Sequence, residues 1–437
     1  MKNLFHGRVR WLLIFWMFVM SAMAYLDRVN ISIAAQTIQK EYGFTDVQLG
    51  WIFSAFVAGY ALSQAPGGRL ADRFGPRVVI AFGVIWWGVF TSLTAAVPAG
   101  VASVLWVLIA VRFLLGVGEA VVYPSSNRLV AAWVPSAERG LANGLIFTGV
   151  GAGAAITPPL IAYVLLNYGW RWSFWVSALI GVLGGMVWFI LARDTPQKHP
   201  WISPEELQHI ESGLPESAAG EAGGTLPWSA ILGHKDLLVV TLSYFTYGYT
   251  AFIFFSWFFI YLSRVRGLDL KSSAIYSMLP FMAMAICSLA GGWISDRLTL
   301  RYGRRVGRCG IAVFGIGLAA VFVALSTQVA SPRLASIVLA GGAGALYLSQ
   351  SSFWSVTADI AGSSSGSASG VMNMGGQTGS WVTAWLTPLV ALHFGWTASF
   401  LLAAALCAAG SLAWLLVDPA HEMVPRPRGA GCTLINK

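Results

Sequence analysis

Gly68-Arg69-Leu70-Ala71-Asp72-Arg73-Phe74-Gly75-Pro76-Arg77 is a short polar stretch between two long apolar runs, and it returns in part as Gly292-Trp293-Ile294-Ser295-Asp296-Arg297. A cationic turn between membrane segments accounts for the arginines. It does not account for an acid that twice follows a glycine at the same spacing. The glycine permits close backbone approach, and the carboxylate can pair with an arginine or meet a helix N-terminus. Two related halves follow from this, each with an acid-bearing turn at one membrane face.

The surrounding composition fits that reading. Of 437 residues, 57% are hydrophobic and 10% charged, against roughly a quarter charged in a soluble domain. Apolar windows of about 19 residues place helices near 11–35, 47–70, 77–97, 101–125, 139–166 and 171–192, then near 236–262, 272–295, 306–327, 334–358, 366–391 and 396–417. The expected fold is an all-α membrane protein of twelve transmembrane helices in two six-helix halves. The halves are 1–192 and 236–417, with a linker at 193–235 and a tail at 418–437. Lys2, Arg8 and Arg10 before an apolar stretch ending in Ser21-Ala22-Met23-Ala24 have the form of a cleavable signal. The apolar pattern resumes through Ile31, Ile33, Ala34 and Ala35, so the segment reads as a spanning helix.

The linker holds Arg193, Asp194, Lys198, Glu205, Glu206, Glu211 and Glu216 and is too polar to cross lipid. Ser203-Pro204-Glu205-Glu206 reads as an N-cap, a first-turn proline and acids facing the helix dipole. With the N-terminus inside, nineteen Lys and Arg residues fall on the cytoplasmic side and six on the other, with Arg28 and Arg112 inside helices. That bias puts both termini and the linker in the cytoplasm. The basic residues, which give a net charge of +9, lie in clusters between spans, the pattern of membrane topology rather than of nucleic-acid binding. Cys287, Cys309, Cys407 and Cys432 show no paired spacing, so neither a disulfide nor a metal site is inferred.

The halves repeat beyond the turns. Gly169-Trp170-Arg171-Trp172-Ser173-Phe174 matches Gly395-Trp396-Thr397-Ala398-Ser399-Phe400 at an offset of 226 residues. The same offset pairs Gly116, Gly118, Gly144 and Gly153 with Gly342, Gly344, Gly370 and Gly379. An even number of helices between repeats implies a parallel duplication about an axis along the membrane normal.

Inside the spans the ionisable residues read from sequence are Asp27, Arg28, Arg112 and Glu119. Each costs about 2.5 to 3.5 kcal/mol at mid-bilayer on insertion scales. Arg112 and Glu119 are two turns apart on one face, about 10 Å along the axis, so each is left for a partner on another helix or a ligand. Pairing as inter-helix glue is one reading, although Ser, Thr or Asn would serve that more cheaply. An arginine fork suits a carboxylate, and a buried acid beside it can take a proton. Together they suggest an anion site coupled to protons.

The pattern G-x-x-x-D-R-x-G-x-R/K resembles the signature of the major facilitator superfamily. Tyr25-Leu26-Asp27-Arg28-Val29-Asn30, and Arg112 through Glu119 with Pro124, are similar to its anion:cation symporter branch, whose members include sugar-acid and vesicular glutamate carriers. The resemblance implies a latch for the alternating-access change at Gly68, Asp72, Arg73, Gly75, Arg77, Asp296 and Arg297. It implies carboxylate contacts at Arg28 and Arg112, proton roles at Asp27 and Glu119, and polar substrate contacts at Tyr60 and Asn373. Helix 11 departs from the branch in Asn373-Met374-Gly375-Gly376-Gln377-Thr378-Gly379, rich in small residues, which leaves Gln377 a candidate ligand. Tyr244, Tyr247, Tyr249 and Trp257 of helix 7 could line a site, but such stripes are more often packing or lipid-facing, and none is assigned.

The expected activity is proton-coupled symport of a small organic anion, a sugar acid or other carboxylate, in the inner or plasma membrane, by a monomer without a cofactor. An exchanger or facilitator on the same fold is the alternative. An enzyme would need a reactive cluster at one face, whereas His6, His199, His209, His234, His393 and His421 read as terminal or loop residues with no histidine–carboxylate spacing. A sensor would need a larger appended domain than the linker or tail. The topology has a direct test: a cysteine at Ser217 should resist an impermeant thiol reagent on intact cells and react once the membrane is opened.

Overall fold

The structure, a computed structural model, describes residues 7–98, 103–214, 225–258, 261–268 and 270–423. Glu216, Ser217 and Cys432 lie outside the described residues, as do His6 and the end of the tail. The first six spans are α1 (Val9–Tyr42), α2 (Asp46–Phe74), α3 (Pro76–Ala96), α4 (Val104–Glu119, resuming as Val122–Trp133), α5 (Arg139–Tyr168) and α6 (Trp170–Leu191). The second six are α7 (Lys235–Ser256), α8 (Leu270–Tyr302), α9 (Ile311–Ser326), α10 (Pro332–Leu348, resuming as Gln350–Ala361), α11 (365–394) and α12 (396–413). Leu166, Ile190, Leu392 and Phe394 are exposed on the outer surface, where lipid replaces water as solvent.

Helix ends follow local chemistry. Thr45 opens α2 with a reciprocal capping box, accepting from the Gln48 amide at 3.3 Å while its own N–H donates to Gln48 Oε1 at 2.9 Å. The polar stretch after the predicted end of helix 2 stays helical through Phe74, and that after helix 8 through Tyr302. Asp72, Arg73, Asp296 and Arg297 therefore sit on helix ends, not in loops. Polarity marks where a chain leaves lipid, but the backbone ladder runs on until a residue can reverse it. Those residues are Gly75 and Gly303, both at φ 85°.

The internal repeat has a shared backbone form. Gly169 breaks α5 from α6 at φ 88°, ψ 162°, and Gly395 breaks α11 from α12 at φ 83°, ψ 162°. That region is essentially open to glycine alone. At the face opposite the linker, Trp170 Nε1 and Arg171 both donate to Glu41, at 2.7 and 2.6 Å, fastening the first copy to the end of α1. The Arg171 hydrogen bonds hold the Glu41 carboxyl below its usual range.

The linker is docked rather than loose where it is described. Ser203 caps Pro204–Ser212 by accepting from the Glu206 amide at 3.1 Å. Glu206 itself turns to another helix, accepting from the Val9 and Arg10 amides at 3.0 and 3.1 Å and so capping α1. The packing across the halves is α2 along α11 and α5 along α8.

Gly395→Ala should cost about 1 to 3 kcal/mol and lower the thermal unfolding midpoint in detergent. Gly310→Ala, in ordinary helical backbone with open space around its Cβ, is the matched control. Equal midpoints for the two would show that the break does not need its positive φ.

Candidate functional site

A cavity of about 380 Å³ lies between the halves. Its wall includes Arg28, Ser32, Phe56, Tyr60 and Arg112 from the first half and Tyr244, Tyr247, Gln350, Asn373 and Gln377 from the second. The lining residues of α1, α2 and α7 occupy the middle of each helix and the part away from the linker. The cavity thus runs from mid-bundle toward the face opposite the linker.

Its charged wall is made by α1 and α4. Arg28 Nε donates to Glu119 Oε1 at 2.6 Å, and the guanidinium lies over Tyr60 at 4.2 Å, Tyr25 at 5.0 Å and Phe56 at 5.4 Å. Buried Arg28 Nη2 and Glu119 Oε2 have no hydrogen bond among the described residues. Glu119, which the sequence leaves open to any partner, is therefore taken by Arg28, and the glue reading describes that pair in this conformation. Arg112 differs. It is buried, lines the cavity over Phe56 at 4.9 Å, and its Nε has no hydrogen-bond partner among the described residues.

Asp27 points away from the cavity. Its Oδ2 accepts from Thr91 Oγ1 of α3 at 3.1 Å, and its buried Oδ1 has no partner at hydrogen-bond geometry among the described residues. Tyr60 reaches the cavity, as does Asn373, whose Nδ2 donates to Gln64 Oε1 across the seam at 2.8 Å. Of the helix 7 aromatics left unassigned from sequence, Tyr244 and Tyr247 line the cavity, while Tyr249 and Trp257 do not. The difference lies in where the halves face each other, which one helix's pattern does not record.

The linker-side floor is a two-fold clamp. Asp72 Oδ1 accepts from the Gly366 amide at 2.9 Å, and Oδ2 from the Ser367 amide at 2.7 Å and its hydroxyl at 2.5 Å, so it caps α11. Asp296 Oδ1 accepts from the Gly140 amide at 2.9 Å and Oδ2 from the Leu141 amide at 2.6 Å, capping α5. Each acid of one half holds a helix N-terminus of the other. A Cβ on Gly68 would overlap the Gly366 carbonyl, and one on Gly292 that of Gly140, which explains the glycine four residues before each acid.

The other signature residues stay within their own half. Arg73 lies over Phe74 and Arg297 over Trp293, both exposed. Arg77 hydrogen-bonds the Phe189 carbonyl at 3.0 Å, and Gly75 admits the Asp194 carboxylate, which accepts from the Arg77 amide at 2.9 Å.

Several floor residues escape the sequence reading. Arg139 Nη1 donates to Asp359 Oδ1 at 2.6 Å with both side chains fully buried, and Arg308 reaches Asp296 at 2.7 Å. Asp359 falls one residue past the predicted end of helix 10, so it reads as a loop acid. His234, Asp236 and His421 also meet at the linker face, their ligating atoms within 4.8 Å. No local spacing could join His421 to a pair 185 residues earlier. Asp236 Oδ1 there accepts from the Asp418 amide at 2.8 Å, tying the chain after α12 to the start of α7.

The model of the Major Facilitator Superfamily matches residues 17–384. The chain belongs to that superfamily. It is 36% identical over 412 residues to a probable sulfoacetate transporter, SauU, of Cupriavidus necator, covering 92% of each chain. It is 29% identical over 421 residues to a hexuronate transporter of Bacillus subtilis, covering 95% of this chain and 96% of the other. The solved structure of the proton:xylose symporter XylE shares the fold at a TM-score of 0.70 and 15% identity, covering 93% of this chain and 96% of that one. The relatives are multi-pass membrane transporters rather than enzymes.

Asp72→Asn removes the charge from the α11 cap, where hydrogen bonds to a charged group are worth about 1.5 to 3 kcal/mol. Uptake should fall about tenfold or more while equilibrium affinity for the same solute changes less than about threefold. Normal uptake, or affinity lost in step with uptake, would remove the latch role.

Proposed function

We propose that this superfamily member is a proton-coupled symporter that brings a small carboxylate into the cell by alternating access. The observation that carries the reading is the pairing of Arg28 with Glu119 on the cavity wall beside an Arg112 that has no such partner. The transporter names of the relatives, sulfoacetate and hexuronate among them, support an anion as cargo. The cationic bias supports a cytoplasmic linker and termini, and hence a cavity open to the outside in the present conformation. One chain supplies both halves of the cavity, so the functional unit is a monomer in the inner membrane.

The coupling follows from competition for a guanidinium. A carboxylate entering the cavity meets Arg112, whose fork accepts it without first breaking an ion pair. The same carboxylate then draws on the free Nη2 of Arg28 and competes with Glu119 for the rest of it. Losing Arg28 leaves Glu119 buried with no cation, and the lower-energy state is the protonated acid. Asp27, with one oxygen on Thr91 and one unpaired, is a second acid able to change state. Tyr60, Asn373 and Gln377 orient the remainder of the solute. With its charges matched, the site permits the clamp at Asp72 and Asp296 to open and the opposite face to close.

In proteoliposomes, Arg112→Ala should abolish binding of the anion, and Arg112→Lys should restore it poorly because the planar fork is lost. Asp27→Asn with Glu119→Gln should retain exchange yet lose uphill uptake driven by a proton gradient. Full proton-driven accumulation in that double variant would sink the coupling scheme. Equal flux with and without a gradient in the unaltered protein would favour the facilitator instead.

A further inference from the structure

We infer that the preferred cargo is a monocarboxylate with a flat aromatic body, not a polyhydroxylated sugar acid or a short dianion; this rests on the anion reading above and narrows it. Twelve of the twenty-six lining residues are Phe, Tyr or Trp. Two ring pairs come from opposite halves. Phe56 and Tyr60 of α2 stack with centroids 5.9 Å apart and planes at 22°, and Tyr244 and Tyr247 of α7 with centroids 5.1 Å apart at 15°. Tyr25 and Phe255 meet across the halves at 6.1 Å. Such faces bind flat rings by offset stacking or edge contact.

Several polar side chains of the wall are partly engaged by the protein itself. Asn373 Nδ2 donates to Gln64, Gln350 Nε2 to the Tyr244 hydroxyl at 3.1 Å, and Ser32 Oγ to the Val29 carbonyl at 2.7 Å. Ser380 Oγ bonds the Gly248 and Gly376 carbonyls at 3.2 and 3.1 Å. Gln377, Gln350 Oε1 and the hydroxyls of Tyr123 and Tyr247 have no hydrogen bond among the described residues. The tyrosine hydroxyls stand at the edges of ring faces, a pattern that favours a ring with one or two polar substituents over a chain of hydroxyls, whose unmatched members would each be buried at a cost.

Charge and size point the same way. Arg28 is matched by Glu119, which leaves Arg112 as the cation on the cavity wall with no carboxylate at hydrogen-bond distance among the described residues. One guanidinium without a direct carboxylate partner suits one carboxylate better than two anionic groups. The cavity, at about 380 Å³, falls in the range of about 300 to 1,000 Å³ that buries ring-containing ligands. A two-carbon dianion would leave much of it unfilled.

The test is calorimetric titration of the full chain in nanodiscs with 3-phenylpropionate, glucuronate, sulfoacetate and the neutral 3-phenylpropionamide. The phenyl acid should bind at least about tenfold tighter than the sugar acid and the dianion, and the amide should not bind. Tyr247→Leu should erase most of that preference, weakening the phenyl acid at least about fivefold more than glucuronate. Phe255→Leu, on the other helix face contact, serves if the first variant is unstable. Glucuronate or sulfoacetate binding as tightly as the phenyl acid, with loss in Arg112→Gln, would overturn the aromatic preference and keep the anion reading. Amide and acid binding alike, or an affinity unmoved by Arg112→Gln, would overturn both, as would no binding by any of the three acids.

Discussion

Two carboxylates join the halves at the linker face, and each does so by accepting hydrogen bonds from the otherwise unsatisfied amides at the start of a helix of the opposite half. A helix N-terminus always carries N–H groups without intrahelical partners. Within a membrane protein they cannot simply turn to water. Asp72 meets those of α11, and Asp296 those of α5. The match is strong and directional, and at the linker face water could solvate both partners if they separated. An apolar seam of similar strength would have no such alternative state. Glycines at the contact bring the backbones close enough for the carboxylates to reach.

The duplication explains why the clamp comes in two parts. An ancestral half that ended its second helix with a glycine and an acid would, on duplication, place each acid against the other copy's fifth helix. The present halves keep that reciprocity while drifting elsewhere. Arg308 joins Asp296 from within its own half, whereas Arg128 only approaches Asp72, at 3.8 Å. Arg139–Asp359 adds a buried ion pair across the seam with no counterpart of the same form in the described residues. Breaking such a pair by removing one partner is costly, so it marks the floor as the firmer side of the seam in this conformation.

The fold was legible in the sequence because its signals are local and periodic: apolar windows, cationic turns and the Gly-Trp-x-x-Ser-Phe repeat. The candidate site was legible in its charges, since four ionisable residues within spans are few and expensive. Its partners were not. Seven residues along α4 correctly separated Arg112 from Glu119, but nothing in that spacing says that Arg28 reaches Glu119 from α1. The arginines of the signature were over-read for the same reason. Arg73 and Arg297 obey membrane topology, and only the acids cross the seam. Tyr244 and Tyr247 were under-read, because a tyrosine on a helix looks the same whether it faces lipid, a neighbour or a cavity.

The arrangement of four charges also constrains how site and clamp communicate. With Arg28 on Glu119 and Asp27 turned to Thr91, the wall presents Arg112 to an open cavity with no carboxylate at hydrogen-bond distance among the described residues, and water can solvate it there. Closing the cavity around an empty site would strip water from that cation and leave it unpaired, which is strongly unfavourable. Closing around a protonated Glu119 with no anion bound would leave two such cations, which is worse. Under the proposed function a bound carboxylate gives Arg112 its partner. The four charges of the empty site, Asp27 and Glu119 against Arg28 and Arg112, sum to zero, so the anion adds one negative charge that a single proton on Asp27 or Glu119 cancels. Coupling of that kind would require no contact between the site and Asp72 or Asp296; it would need only that the floor cannot open until the far side has closed, and that the far side cannot close over an unmatched charge.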